Sequence, residues 1–111
     1  MKVLAKPEVI DYLEELVSIL FEKEYFGYKE FAIHYVDDLI DNINANLPQK
    51  LIKSAPQIFE KYGKNLKYAS FKKSKQTIWY VFFEIYKENE KIIYLIKHIE
   101  NNHTVSQYLD L

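Results

Sequence analysis

The chain contains no cysteine, two glycines and three prolines, and each shortage excludes something. Without cysteine there is no disulfide framework and no thiolate nucleophile or metal ligand. Apolar burial must hold the fold, and a reducing compartment, the cytoplasm, is the expected location. Arginine is missing as well: all 15 basic residues are lysines, so no guanidinium fork can grip a phosphate or carboxylate at two points. The scarcity of glycine and proline leaves few obligatory breaks, which favours long regular elements. No stretch reaches the roughly 18 uncharged apolar residues of a membrane helix. The opening MKVLAKPEV lacks the apolar run of a signal peptide. The chain is therefore expected neither to span a membrane nor to be exported.

What is present describes one small globular domain covering residues 1–111, with 49% hydrophobic and 28% charged residues. The formal net charge of −1 conceals a separation of signs near Pro48. Residues 1–47 carry 4 lysines against 10 acids, and residues 48–111 carry 11 lysines against 6. Abundant lysine, isoleucine, tyrosine and asparagine would also follow from an AT-rich coding sequence.

Val3 to Lys6 reads as a brief edge strand or a lead-in to a helix, stopped by Pro7. Val9, Leu13, Leu16, Val17, Leu20 and Phe21 recur at steps of three and four, predicting a helix from Glu8 to Phe26 that Gly27 ends. A second helix is predicted from Tyr28 to about Asn46, with Tyr28, Phe31, Ala32, Tyr35, Val36, Leu39, Ile40 and Ile43 as its buried stripe, ended by Leu47 and Pro48. The acids of both helices fall mostly outside these stripes and read as solvated surface. Pro48 to Gly63 carries no clear period. Leu66 to Lys73 and Ile92 to Ile99 read as strands, and Thr77 to Tyr86, rich in β-branched and aromatic residues, as a strong one. The fold class is thus α+β: an N-terminal helical hairpin packed on a small antiparallel sheet.

The face assignment of the last hairpin depends on its turn. A five-residue turn, Lys87 to Lys91, places Lys97 on the apolar face of Trp79, Val81, Phe83 and Ile85. A four-residue turn, Lys87 to Glu90, puts His98 there instead and Lys97 beside Tyr80. Burying a neutral imidazole costs less than burying an ammonium, which favours the four-residue turn. Tyr80, Phe82, Glu84 and Tyr86 share the other, wetter face. That face reads as a contact surface, unless the C-terminal tail or a homodimer mate covers it.

Two groups of residues could carry chemistry. Six lysines and no acid lie between Lys61 and Lys75, interleaved with Tyr62, Tyr68 and Phe71. Point charges for a phosphate backbone and rings for unpaired bases suit single-strand binding, with Lys64, Lys67, Lys72, Lys73, Lys75, Tyr68 and Tyr80 as the expected contacts. Lysines guarding a strand edge against aggregation give the same pattern. Among the histidines, His34 lies in a helix beside apolar neighbours and reads as structural, whereas His98 and His103 at the end of the last strand could move protons near neutral pH. Their five-residue spacing is not that of a helical metal pair. Nucleophile elbow and phosphate-cradling glycine loop are both absent, so no metal or other cofactor is expected.

The stretch KYASFKKSKQTIWYVFFEIYKENEKIIYLIKHIENNH, residues 67–103, resembles the basic strand, aromatic central strand and histidine-ended last strand of the RelE/ParE superfamily of bacterial toxin–antitoxin toxins. The order of elements, a short strand, a helical hairpin and then a sheet, is similar too. The resemblance implies a toxin neutralised by a cognate antitoxin. RelE-like members cleave mRNA on the ribosome and ParE-like members poison DNA gyrase. It further implies Lys72, Lys73 and Lys97 as cations at the scissile phosphate, and His98 or Tyr108 as the proton-transfer group. Members commonly place arginine on the central and last strands. Here Trp79, Tyr80, Ile99 and Glu100 stand there, which leaves two other expectations beside the endonuclease: gyrase inhibition, and a non-toxic partner-binding module of the same fold.

Overall fold

The structure is a computed structural model that describes residues 2–23 and 27–105. Strand β1 (Lys2–Ala5) leads into helix α1 (Pro7–Glu22), whose first residue is the proline that suits a helix start, and helix α2 (Lys29–Asn46) follows. Two 3₁₀ segments, Leu47–Gln49 and Gln57–Tyr62, flank the two-residue strand β2 (Lys53–Ser54). Strands β3 (Lys67–Lys72), β4 (Ile78–Glu88) and β5 (Lys91–Asn101) come next, and the short helix α3 (Asn102–Val105) closes the described chain. No helix among the described residues is long and apolar enough to cross a membrane.

The α+β class is as expected, but the sheet is mixed. Its order is β1-β5-β4-β3-β2, antiparallel throughout except that β1 runs parallel to β5, pairing Lys2 to Ala5 with Ile93 to Ile96. The first strand thus lies beside the last, and the helices carry the chain from it to β2 at the opposite edge of the sheet.

Both helices cover one face of the sheet. Val9 and Leu16 of α1 and Val36, Leu39 and Ile43 of α2 are buried against Phe71, Trp79, Val81, Phe83, Ile96 and Ile99. Burial of each such large side chain stabilises the fold by about 1.5–3 kcal/mol. The Trp79 indole donates Nε1–H to the Tyr35 hydroxyl at 2.9 Å, so the largest core side chain leaves no buried donor unpaired. His34, expected among apolar neighbours, is exposed on α2.

The opposite face is not the open aromatic surface the sequence suggested, and the C-terminal tail that was its alternative cover lies outside the described residues from residue 106 on. The Gln57–Tyr62 segment folds over it: Phe59 stacks on Phe82 at 4.5 Å, and Leu66, Tyr68 and Tyr80 complete a second buried cluster. Tyr80 and Phe82 are fully buried. This cover is the physical role of the stretch between Pro48 and Gly63, which showed no period because it is built from 3₁₀ turns rather than a long element.

The β4–β5 turn differs from both expected lengths. Glu88 pairs with Lys91, leaving only Asn89 and Glu90 as the loop, both with positive φ (49° and 67°). This is the two-residue turn whose twist suits a hairpin. Further along, the register shifts: Phe83 pairs with Ile96 but Phe82 with His98, so Lys97 is an extra residue, a β-bulge.

Candidate active site

The bulge decides which side chains meet. With a regular ladder Lys97 and His98 would point to opposite faces, as both sequence registers required. The extra residue instead lets Ile96 and Ile99 both enter the helix-side core while Lys97 and His98 share the other face. The choice between the two residues was therefore a false one.

Lys97 Nζ lies 3.0 Å from Glu84 Oε1, and the Tyr86 hydroxyl donates to Glu84 Oε2. Burial opposes the Glu84 carboxylate, but the hydrogen bonds from Tyr86 and Lys97 and the charges of Lys97 and Lys6 outweigh it, and its pKa falls below the ordinary value. The hydrogen bond to Glu84 raises the Lys97 pKa against a smaller opposing effect of burial. Gly63 seals this pair from above: a Cβ there would stand 2.8 Å from Glu84 Oε1 and 3.1 Å from Lys97 Cδ. Lys97 is thereby engaged in the fold, not held ready for a phosphate.

His98 has a different setting. Its ring lies flat on Tyr62, tilts against Phe82, and its Nε2 is hydrogen-bonded to Glu100 Oε1. Burial lowers its pKa, and Lys61 adds to the lowering, while Glu100 works in the opposite direction without reversing it. Near neutral pH the imidazole is uncharged. Donation of Nε2–H to the carboxylate leaves Nδ1 as the basic nitrogen.

This histidine opens on a cleft of about 540 Å³ at the edge of β5 beyond the end of β1. Ala5 is the last β1 residue to pair with β5, and the chain then turns into α1, so among the described residues no strand lies on that side of residues 97–101. Lys6, Glu8 and Tyr12 from the start of α1 and Lys61 and Tyr62 from the cover segment form the walls. The Tyr12 hydroxyl has its pKa raised by burial and by the charges of Glu100 and Tyr35, so it stays protonated. A neutral base oriented by a carboxylate, a protonated phenol and two lysines converge on one open cleft. Such a set can move protons at an anionic, phosphate-bearing substrate.

The expected site residues are only partly brought together. His98 and Lys97 both line the cleft, whereas Tyr108 falls outside the described residues. The nucleic-acid-binding set is divided along β3, a strand about 17 Å long. Lys64 and Lys67 lie at its start, with Lys67 donating to Ser54, and Lys72, Lys73 and Lys75 lie at its end. Lys73 sits over the Tyr35 ring at 4.7 Å and 4.0 Å from Asp38. Tyr68 and Tyr80 are buried and cannot serve as surface platforms for bases, a correction that follows from the 57–62 cover. Sequence reasoning missed Lys6, Tyr12, Tyr62, Lys61 and Glu100 as cleft residues. Glu100 was the detectable one, because residues two apart on a strand share a face with His98. The others come from distant elements and carry no local signal.

Comparison with protein-family profiles, with curated proteins and with solved structures yields no match.

Proposed function

We propose that the chain is a RelE-like toxin that cleaves messenger RNA at the ribosome, acts in the cytoplasm and is held inactive by a cognate antitoxin. The observation that carries this reading is the His98–Glu100 pair in a cleft with Lys6, Lys61 and Tyr12. The short first strand, helical pair and terminal hairpin add support through the resemblance of residues 67–103.

The chemistry needs no group beyond the chain's own. His98 Nδ1 takes the proton of a ribose 2′-hydroxyl as the 2′-oxygen bonds to the adjacent phosphorus. Lys6 and Lys61 offset the added negative charge on the phosphoryl oxygens. The bond from phosphorus to the 5′-oxygen breaks, and Tyr12 hands its proton to that oxygen. A 2′,3′-cyclic phosphate and a 5′-hydroxyl result, and water returns the proton from His98 to Tyr12. The lysines at the far end of β3 have no part in the step.

The test is cleavage of an mRNA under translation by the wild-type chain and by His98→Gln, Lys61→Ala and Lys73→Ala. Cleavage leaving cyclic-phosphate ends is expected from the wild type, with a loss of about 10²-fold or more in His98→Gln and near wild-type cutting by Lys73→Ala. Intact mRNA with the wild type overturns the reading, and inhibition of gyrase supercoiling by the same preparation would replace it with the ParE-like one.

A further inference from the structure

A second cavity lies at the other edge of the sheet, two strands from the cleft. It measures about 300 Å³ and is lined by Leu51, Lys53, Tyr68, Ser70, Ile78 and Tyr80. The Tyr80 side chain is fully buried, yet its hydroxyl has no hydrogen-bond partner, the sole such side-chain atom among the described residues. A buried unpaired hydroxyl is costly and is retained most readily where something outside the fold satisfies it.

The adjoining strand edge is unpaired in a defined way. Ala55 N–H donates to Leu66 O, and β2 pairs only Lys53 with Tyr68 and Ser54 with Lys67. Peptide groups alternate in direction along a strand, so those of residues 66, 68, 70 and 72 face outward from β4. Beyond Tyr68 the ladder stops, because the chain leaves the edge at Ile52 and Leu51, the latter 83% exposed. Among the described residues, no strand lies beside the outward N–H and C=O groups of Ser70 and Lys72.

Charge specifies what could fill the gap. From Asn42 to Phe83 the chain has eight lysines and one acid, Glu60, and this stretch supplies the whole edge. Edge lysines alone would serve to repel other strands. That role gives no account of the unpaired hydroxyl beneath them.

We propose that the β3 edge binds an extended, acidic peptide segment, which adds a strand at Ser70 and Lys72 and sets a carboxylate against the Tyr80 hydroxyl. In an antiparallel addition the residue opposite Ser70 projects its side chain to the face that Tyr80 occupies. A glutamate or aspartate there accepts from Tyr80 Oη–H inside the cavity, with Lys53 on the same wall. Backbone pairing supplies the register and the carboxylate the specificity. The site is independent of the β5 cleft and of any activity there.

The experiment titrates the intact chain with a synthetic octapeptide of alternating glutamate and valine, its lysine and valine counterpart, and a ten-residue oligouridylate. Anisotropy of labelled ligand and amide hydrogen exchange are read together. The acidic peptide is expected to bind saturably and to slow exchange at Ser70 and Lys72, at least tenfold more strongly than the basic one. Tyr80→Phe removes only the hydroxyl: it is expected to keep or raise Tm while weakening acidic-peptide binding fivefold or more. No saturable binding, or protection elsewhere, overturns the proposal. So does protection of Ser70 and Lys72 by oligouridylate in place of the peptide, and so does a Tyr80→Phe variant that binds as the wild type.

Discussion

The imidazole of His98 lies on the phenol ring of Tyr62 with centroids 3.7 Å apart and planes 8° from parallel. The stack joins the last strand to the segment that covers it, and burial, to which this ring contributes, is the first cause of the lowered His98 pKa.

Tyr62→Ala should therefore bring the His98 pKa back up toward 6.5, readable as a shifted titration of its ring proton in NMR. Tyr62→Phe, which keeps the stack, should leave it lowered. The sign carries into stability. A histidine whose folded pKa is depressed loses stability as pH falls from about 6.5 toward that folded value, because the unfolded chain binds the proton first. Denaturant midpoints measured from pH 7.5 to 5 should fall in the wild type and be flatter in His98→Gln. Equal slopes in the two proteins would remove the burial account of His98.

Gly63 sits against the Glu84–Lys97 pair closely enough that an alanine methyl would displace the Glu84 carboxylate. Gly63→Ala should destabilise by about 1–3 kcal/mol, as an overpacked site does. Glu84 has a lowered folded pKa, so its contribution is present above about pH 4.5 and is lost as pH falls through the folded value. Lys97 has a raised one, so its contribution is complete below about pH 10.5 and fades as pH rises through the folded value. Urea midpoints of the wild type and Glu84→Gln should differ most between these limits and converge toward pH 3.

Much of the architecture was readable in periodicity. The three-and-four spacing of α1 and α2 and the β-branched, aromatic run of β4 mark elements the structure has, because each buries one face, although α1 ends at Glu22 rather than at the expected Phe26, with residues 24–26 outside the described residues. Three things were not readable. The parallel seat of β1 is a long-range pairing with no local signature. The cover from Gln57 to Tyr62 buries Tyr68 and Tyr80 through contacts made far along the chain, so residues that looked like a base-stacking surface are core. The bulge at Lys97 broke the strict alternation on which the placement of Lys97 and His98 was argued, and period-two reasoning has no way to see a single extra residue. Of the candidate site, His98 was identified by its type and place, while its partners come from three separate elements.

The β4–β5 turn needs left-handed backbone at both loop residues. Asn89 adopts it readily, but Glu90, at φ 67°, has a Cβ that disfavours it. Glu90→Gly should stabilise the chain by about 0.5–1 kcal/mol, seen as a higher urea midpoint with an unchanged m-value. A lower midpoint would mean that the turn is not the two-residue form.

The bulge makes a prediction about length that no point substitution can make. On the turn side of it Phe83 pairs with Ile96, and on the other side Phe82 pairs with His98, so Lys97 is the only β5 residue without a partner on β4 in this stretch. Removing it would join Ile96 directly to His98 in one continuous register, with Ile96 and Ile99 still in the helix-side core and His98 still on the face of Phe82 and Tyr62. The β1 pairing and the Lys6 N–H to Ile96 O bond both lie before the deletion and should survive it. The variant lacking Lys97 is thus expected to fold with a native-like amide spectrum, weakened on the order of 1–3 kcal/mol because Glu84 loses its cation and keeps only the Tyr86 hydrogen bond. Deleting Leu95 instead shifts Ile93 and Tyr94 to opposite faces while β1 still requires them in place, and should unfold the sheet. Equal disruption by the two deletions would mean that the bulge is not where β5 gains its extra residue.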